Sequence, residues 1–422
     1  MLSKINSLFV LIVASLFLVV SCDKNGSDVP NEDLPDPIKI ELRSNEQEMV
    51  DADQTFAFEF FDRLFTEEAL DKDKNFMVSP LSLSMALAMT WNGAAGATKD
   101  EMQKTLKMYG FSDDDVNAYY KKLKEALLKT DPSTQLSIAN AIFTNQNIAI
   151  KPTFIHTNQS FYNATVKPVD FSRTETVGII NQWASDNTKG LIKKVIEKTD
   201  RNDLMYLLNA IYFKGIWTSE FDKKDTSDKP FTYENGTRKN VKMMQQTAKF
   251  NYAQDENLQL VQLHYGNEAF SMMVLLPAEG KKLKDVVTAT LQESYWGKLR
   301  SGLSQAEVEL SLPKFKTEYT KRLEQVLKNM GMGIAFTEGM ADFSRMSDVP
   351  AFIDFVKQDT YISTDESGTE AAAVTTVGVG YTSVPSQPQK VVFNANRPFL
   401  YIIQENSTGS ILFMGVVNNF DE

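Results

Sequence analysis

Apolar positions along the chain follow two different periods. In the first half they recur mostly at the three-to-four spacing of helices. Phe56, Phe60 and Leu64 form one such stripe, which predicts a first helix beginning near Asp53. Ser79-Pro80 predicts the start of another over Leu81 to Thr90. Serine there caps free N–H groups, and proline at the first helical position forfeits no hydrogen bond. Thr98 with Glu101 reads as a capping box ahead of Met102 and Leu106. Val177 to Ser185 and Tyr319 to Met330 carry helical character as well. Later in the chain, short β-rich runs bounded by turn residues take over: Leu204 to Phe213, Leu258 to Leu263, Ser271 to Leu276, Val308 to Leu312, Val391 to Asn394, Phe399 to Gln404 and Ile411 to Val417. Pro277 to Gly280 and Asn235-Gly236 supply turn signals, the latter suggesting a tight hairpin. Helices early and strands late, without regular alternation, predict an α+β fold with helices packed around mainly antiparallel β-sheets.

The chain begins differently. Lys4 precedes an apolar run from Leu8 to Val20, too short for a comfortable membrane span and the right length for a secretion signal. Val19-Val20-Ser21-Cys22 resembles a bacterial lipobox, which implies that Cys22 is lipidated and becomes the first mature residue. Cys22 is also the chain's one cysteine, so no intramolecular disulfide forms. Asp23 to Leu42 is acidic and punctuated by Pro30, Pro35 and Pro37, which reads as a solvated tether. The expected organisation is a signal peptide (1–21), a lipidated acidic tether (22–45) and one large domain (46–422) held on the bacterial cell envelope, at the outer membrane or cell surface.

A formal charge of −11 argues against nucleic acid as a partner, since phosphate binding needs concentrated Lys and Arg. With His156 and His264 as the only histidines, a multi-histidine metal site is ruled out, and no cofactor is expected. No hydrolase, metalloprotease, dinucleotide or complete phosphate-loop motif is present, so an enzyme is not expected, and a solitary His264 reads as structural. The Asn-x-Ser/Thr triplets at Asn158, Asn163, Asn235 and Asn406 matter only in a eukaryotic secretory route.

Residues 371 to 384 contain neither charge nor proline, begin with small residues and continue in Val and Thr. Three readings compete. A core strand of about fourteen residues is long against a usual five or six. A flexible linker would not be built of Val and Thr. The third reading is a segment that is a loop in one state and a strand in another. Alternation would then place Thr369, Ala371, Ala373, Thr375, Val377 and Val379 on one face, all tolerant of burial. Glu370, Ala372, Val374, Thr376, Gly378 and Gly380 would form the other.

Gly368-Thr369-Glu370-Ala371-Ala372-Ala373 resembles the hinge of an inhibitory serpin. The resemblance runs in family order through Asn75-Phe76-Met77-Val78-Ser79-Pro80-Leu81-Ser82, Gly93 to Thr98, Ile180 to Trp183 with Thr188-Lys189-Gly190, and Asn209 to Trp217. It continues through Leu312-Pro313-Lys314-Phe315, Ala341 to Ser344, Asn396-Arg397-Pro398-Phe399 and Phe413-Met414-Gly415. It implies an exposed reactive-centre loop that a peptidase cuts and that then inserts as a strand, leaving the peptidase trapped in a covalent complex. By the family's spacing the scissile bond is Thr382-Ser383, with Tyr381 beside it and Val379 a further option. The hinge is Glu366, Gly368, Thr369, Glu370, Ala371, Ala372, Ala373, Val374 and Thr375; sheet opening falls to Ser79, Ser82, Asn209, Trp217 and Gln358. Gln358 stands where the family often has histidine, which implies weaker pH dependence of opening. Elastase- or chymotrypsin-like serine peptidases and papain-like cysteine peptidases are the expected partners, and a monomer is expected. The alternative is a non-inhibitory binding or chaperone protein of the same fold.

Overall fold

A computed structural model describes residues 34–70, 74–354, 356–369 and 390–420. Its helices are α1 (Ser44–Leu64), α2 (Pro80–Trp91), α3 (Gly96–Thr105), α4 (Asp113–Leu127), α5 (Pro152–Tyr162), α6 (Glu175–Asn187), α7 (Leu283–Thr290), α8 (Glu293–Ser301) and α9 (Glu324–Asn329). The strands are β1 (Phe76–Val78), β2 (Gln135–Asn145), β3 (Thr165–Val169), β4 (Met205–Ile216), β5 (Ser227–Thr232), β6 (Arg238–Gln254), β7 (Leu258–Tyr265) and β8 (Phe270–Pro277), followed by β9 (Ser304–Pro313), β10 (Phe315–Arg322), β11 (Lys357–Asp365), β12 (Gly368–Thr369), β13 (Lys390–Asn394), β14 (Phe399–Glu405) and β15 (Ile411–Val417).

Two sheets organise them. The larger runs β1-β15-β14-β8-β7-β6-β9-β13, with β5 paired to β6. The smaller runs β10-β11-β12-β4-β2-β3. Pairing is antiparallel except for β13 on β9 and β3 on β2, so the expected α+β class with mainly antiparallel sheets is the one observed. The sheets pack face to face: Phe213 of β4 lies edge-on to Phe270 of β8 at 5.6 Å and to Phe413 of β15 at 6.4 Å. Every residue of β8, β14 and β15 is buried. Each large apolar side chain so placed contributes about 1.5–3 kcal/mol, and this core holds the smaller sheet in position.

The stripe Phe56, Phe60 and Leu64 is fully buried, but its helix starts at Ser44 rather than near Asp53. Glu46 accounts for the earlier start. Its carboxylate accepts the Arg43 N–H at 2.7 Å and the Lys122 ammonium at 2.6 Å. Burial opposes its charge, yet Arg43 and Lys122 hold its pKa down to about 2. The compact unit likewise begins at Leu34, so the tether does not extend to residue 45. Asn267 donates to the Pro35 carbonyl at 3.0 Å, Thr130 exchanges bonds with Ile38, and Ile40 is buried. Docking as an extended strip rests on these backbone hydrogen bonds and on Ile40 alone, since the Ile38 side chain is exposed, a signal hidden by the surrounding prolines and acids.

Three further expectations are corrected. Tyr319 lies in strand β10, whose inward residues Phe315, Thr317 and Tyr319 alternate, and helix is confined to the six residues of α9. The Thr98–Glu101 capping box does not form, because both side chains fasten distant loops: Thr98 Oγ1 accepts from the Asp342 N–H at 2.9 Å and Glu101 from Ile334 at 2.7 Å. Asn235-Gly236 does turn the β5–β6 hairpin, with Gly236 at φ +84°, but through a wider loop closed by the Tyr233 N–H on Thr237 at 2.8 Å.

Among the described residues no helix is long and apolar enough to cross a membrane. Asn158 is fully buried, so its triplet is closed to modification in the folded chain.

Candidate functional site

β11 and β4 do not pair with each other directly among the described residues; the two-residue strand β12 stands between them. After Asp365 the chain reverses through Glu366 and Ser367. Thr369 then aligns with Thr364 on one side and Gly215 on the other, and Gly368 with Asp365 and Ile216. Gly368 takes φ +149°, and a Cβ there would lie 2.1 Å from the Gly215 carbonyl oxygen, so only glycine fits this entry. The chain therefore enters a slot in the smaller sheet at Gly368, within the predicted hinge.

Trp217 fastens the reversal twice. Its backbone N–H donates to the Ser367 carbonyl at 2.9 Å and its indole N–H to the Asp365 carbonyl at 3.0 Å. The Glu366 carboxylate accepts from Thr226 at 2.8 Å and from Lys314 at 2.7 Å. Burial disfavours its charge, but Lys314 and Thr226 outweigh this and leave it below the usual carboxylate range. Beneath the slot the Tyr265 hydroxyl meets Thr369 Oγ1 at 2.6 Å, and its ring stacks on Trp217 at 4.4 Å. Burial pushes the Tyr265 phenol up, so it stays protonated. Thr369 is 2% exposed, which fixes the parity: it faces the core, as the alternation in the sequence expected.

Further down, the N-terminus of α2 joins the two sides of the slot. Ser79 Oγ accepts the Ser82 N–H at 3.3 Å as the helix cap and also donates to the Leu412 carbonyl at 2.7 Å. Gln358 of β11 grips the Ser79 backbone at both ends: its amide donates to the carbonyl at 2.9 Å and its oxygen accepts the N–H at 3.0 Å. Ser82 Oγ donates to Asn209 of β4, and Asn209 donates to Asn140 of β2 at 2.6 Å. The polar cluster is satisfied without a histidine, and no ionisable group belongs to this chain of bonds.

Glu366, Gly368, Thr369 and Trp217 thus come together at the mouth, and Ser79, Ser82, Asn209 and Gln358 beneath it. Glu370, Ala371, Ala372, Ala373, Val374, Thr375, Val379, Tyr381, Thr382, Ser383 and Cys22 lie outside the described residues. Reasoning from sequence missed Tyr265, Thr226, Thr364 and Asn140. Lys314 sat in a recognised motif without its pairing to Glu366 being drawn from it. His264 is half-buried between the amides of Asn251 and Asn406, each 3.3 Å from a ring nitrogen, and partial burial lowers its pKa despite Glu268. Those neutral partners suit a structural residue. Among the described residues no group of three or more His, Cys, Asp or Glu side chains is placed to hold a metal.

The family model for the serpins (serine protease inhibitors) matches residues 51–420. The chain belongs to the serpin family. The leukocyte elastase inhibitor of Xenopus laevis is 34% identical over 374 residues, covering 85% of this chain and 96% of that protein. Among solved structures, the native state of the thermophilic serpin tengpin superposes with a TM-score of 0.80 at 31% identity, covering 92% of this chain and 97% of that one. Thyroxine-binding globulin in complex with thyroxine superposes with a TM-score of 0.78 at 29% identity, covering 89% of this chain and all of that one. The serpin fold expected from the motifs is therefore the fold of this chain, and its slot lies in the serpin's smaller sheet.

Proposed function

We propose that this serpin is a suicide substrate for peptidases, cut at Thr382-Ser383 and completed as a β-strand by its own loop. The observation that carries the reading is β12: two hinge residues already stand in the slot, with Thr369 facing inward, ahead of a run of small neutral residues. The peptidase nucleophile attacks the Thr382 carbonyl, the peptide bond breaks, and the new amino terminus at Ser383 departs with the leaving nitrogen. The acyl-enzyme keeps the peptidase attached while insertion proceeds from Thr369. About fourteen residues at ~3.3 Å each carry Thr382 some 45 Å, enough to drag the peptidase across the sheet and distort its active site.

No Lys or Arg lies between Lys357 and Lys390, which would leave the acidic pocket of a trypsin-like peptidase unpaired. Small Thr382 suits elastase-like serine peptidases, in keeping with the name of the Xenopus relative, and Tyr381 beside it suits papain-like cysteine peptidases. A cut one residue earlier would present Tyr381 to chymotrypsin-like enzymes. The likeness to a thyroxine carrier means that the fold alone does not decide inhibition; the uncharged hinge from Ala371 to Thr375 favours it.

Incubation with elastase-like, chymotrypsin-like and papain-like peptidases is expected to give a denaturant-stable complex and a released peptide beginning at Ser383. The nicked chain is expected to melt far above the intact one. Clean turnover without complex, or unchanged thermal stability after nicking, would overturn the reading; a different peptide start would overturn the bond assignment alone.

The reading extends to location. Lipidation at Cys22 would hold the inhibitor on the bacterial cell envelope, since each buried CH₂ adds about 0.8 kcal/mol and more than one acyl chain anchors stably. Cys22→Ser is expected to move the protein from the membrane to the soluble fraction, and a variant that stays membrane-bound would sink the anchor.

A further inference from the structure

We infer that Tyr265 is a positioning residue for loop insertion: its hydroxyl, with Thr364, latches Thr369 in the slot before any peptidase arrives. This deepens the inhibitory reading and rests on it. The phenol has little freedom to move. Tyr265 is fully buried, its ring is stacked on Trp217 with 13° between planes, and Phe213 closes it edge-on at 5.1 Å. Gly215 permits this placement, because a Cβ there would lie 2.8 Å from the Tyr265 ring. A rigid hydroxyl thus waits at the floor of the slot, 2.6 Å from Thr369 Oγ1, with Thr364 Oγ1 on the flanking strand at 3.4 Å from the same atom.

The consequence is kinetic. Once the acyl-enzyme forms, insertion competes with its hydrolysis, and whichever is faster decides between a trapped peptidase and a regenerated one. Extending a strand from a residue already bonded on both edges avoids the first pairing, in which order must be imposed before any bond rewards it. Thr369 supplies that start, and Tyr265 keeps it in place. Without the threonine hydroxyl, the buried phenol loses its partner and the latched state loses its preference.

Thr369→Val, Thr369→Ser, Tyr265→Phe and the Thr369→Val/Tyr265→Phe pair test this in the full chain. Amide hydrogen exchange of the uncut protein over residues 366–369 reads the latch without any peptidase. It is expected to be slow in the wild type and in Thr369→Ser, and about tenfold faster in Thr369→Val, the effect of about 1.4 kcal/mol. Titration against an elastase-like peptidase is expected to show several-fold more inhibitor consumed per trapped enzyme for Thr369→Val, restored by Thr369→Ser. The double variant is expected to fall short of the two single effects combined, because the valine then faces a phenylalanine with no stranded hydroxyl. Equal exchange in Thr369→Val and wild type, failure of serine to rescue, or strict additivity would overturn the latch. If exchange behaves as expected but the wild type traps no peptidase, the inhibitory reading fails while the latch stands.

Discussion

Replacing Ala371 with arginine is expected to turn the trap into an ordinary substrate, whereas arginine at Ala372 is expected to leave most trapping intact. The contrast comes from parity. Thr369 points into the core and is 2% exposed, so a strand continuing from it sends Ala371 and Ala373 inward and Ala372 outward. An unpaired guanidinium carried beneath the sheet would cost several kcal/mol, and each 1.4 kcal/mol slows a step tenfold. Insertion slowed by about a hundredfold would lose to hydrolysis of the acyl-enzyme, so inhibitor consumed per trapped peptidase would rise at least tenfold while the first cut is unaffected. The outer face already accommodates charge, since Lys357 and Asp359 of β11 pair there at 2.9 Å. Titration of an elastase-like peptidase with both variants decides the matter. Equal effects at 371 and 372, in either direction, would mean that the loop does not enter in the register set by β12.

That register also explains which parts of the fold could be read from the chain. Ile411 to Val417 and Phe399 to Gln404 were visible because strands buried on both faces are continuous apolar runs. β11 was invisible: its inward residues are Gln358, Thr360, Ile362 and Thr364, three of them polar, so no hydrophobic alternation marks it. β2 hides similarly behind Ser137, Asn140 and Thr144. The polar inward face of β11 borders β12, so the strand next to the hinge is the one its sequence conceals. Hinge residues were recognisable from the resemblance of Gly368 to Ala373 to a serpin hinge, since the small uncharged run after Glu370 by itself left three readings open. Tyr265 and Lys314 were not, because the end of β7 and the β9–β10 junction reach the hinge only through the sheet topology. The tether boundary failed for a related reason: one buried isoleucine, Ile40, among prolines and acids carries too little pattern to reveal a strip docked mainly by its backbone.

Glu366→Lys is expected to loosen the mouth of the slot and destabilise the intact protein. The wild-type carboxylate is buried, with a side chain 6% exposed, and is held by Lys314 at 2.7 Å and Thr226 at 2.8 Å. Lysine there sets two ammonium groups against each other where a pair stood. Removing one partner of a buried pair costs 3–5 kcal/mol, and the half-exposed Lys314 places this case near the lower end, about 3 kcal/mol. In a chain of this size that is a Tm lower by roughly 4 °C. Because β12 joins β11 to β4, a loosened reversal also leaves strand edges unpaired. A second copy can fill such an edge with its own loop, so oligomers are expected in size-exclusion chromatography, suppressed by an excess of a synthetic peptide of residues 369–382. Restoring opposite charges with Glu366→Lys/Lys314→Glu is expected to recover part of the stability. The pH dependence has a definite sign. The folded-state pKa of Glu366 lies below its ordinary value, so the pair's contribution is complete above the unfolded carboxylate range and is lost as pH falls through the lowered value. The gap in Tm between wild type and Glu366→Lys should therefore be widest at neutral pH and narrow on acidification. A variant that melts with the wild type at neutral pH would show that the carboxylate does not hold the slot closed.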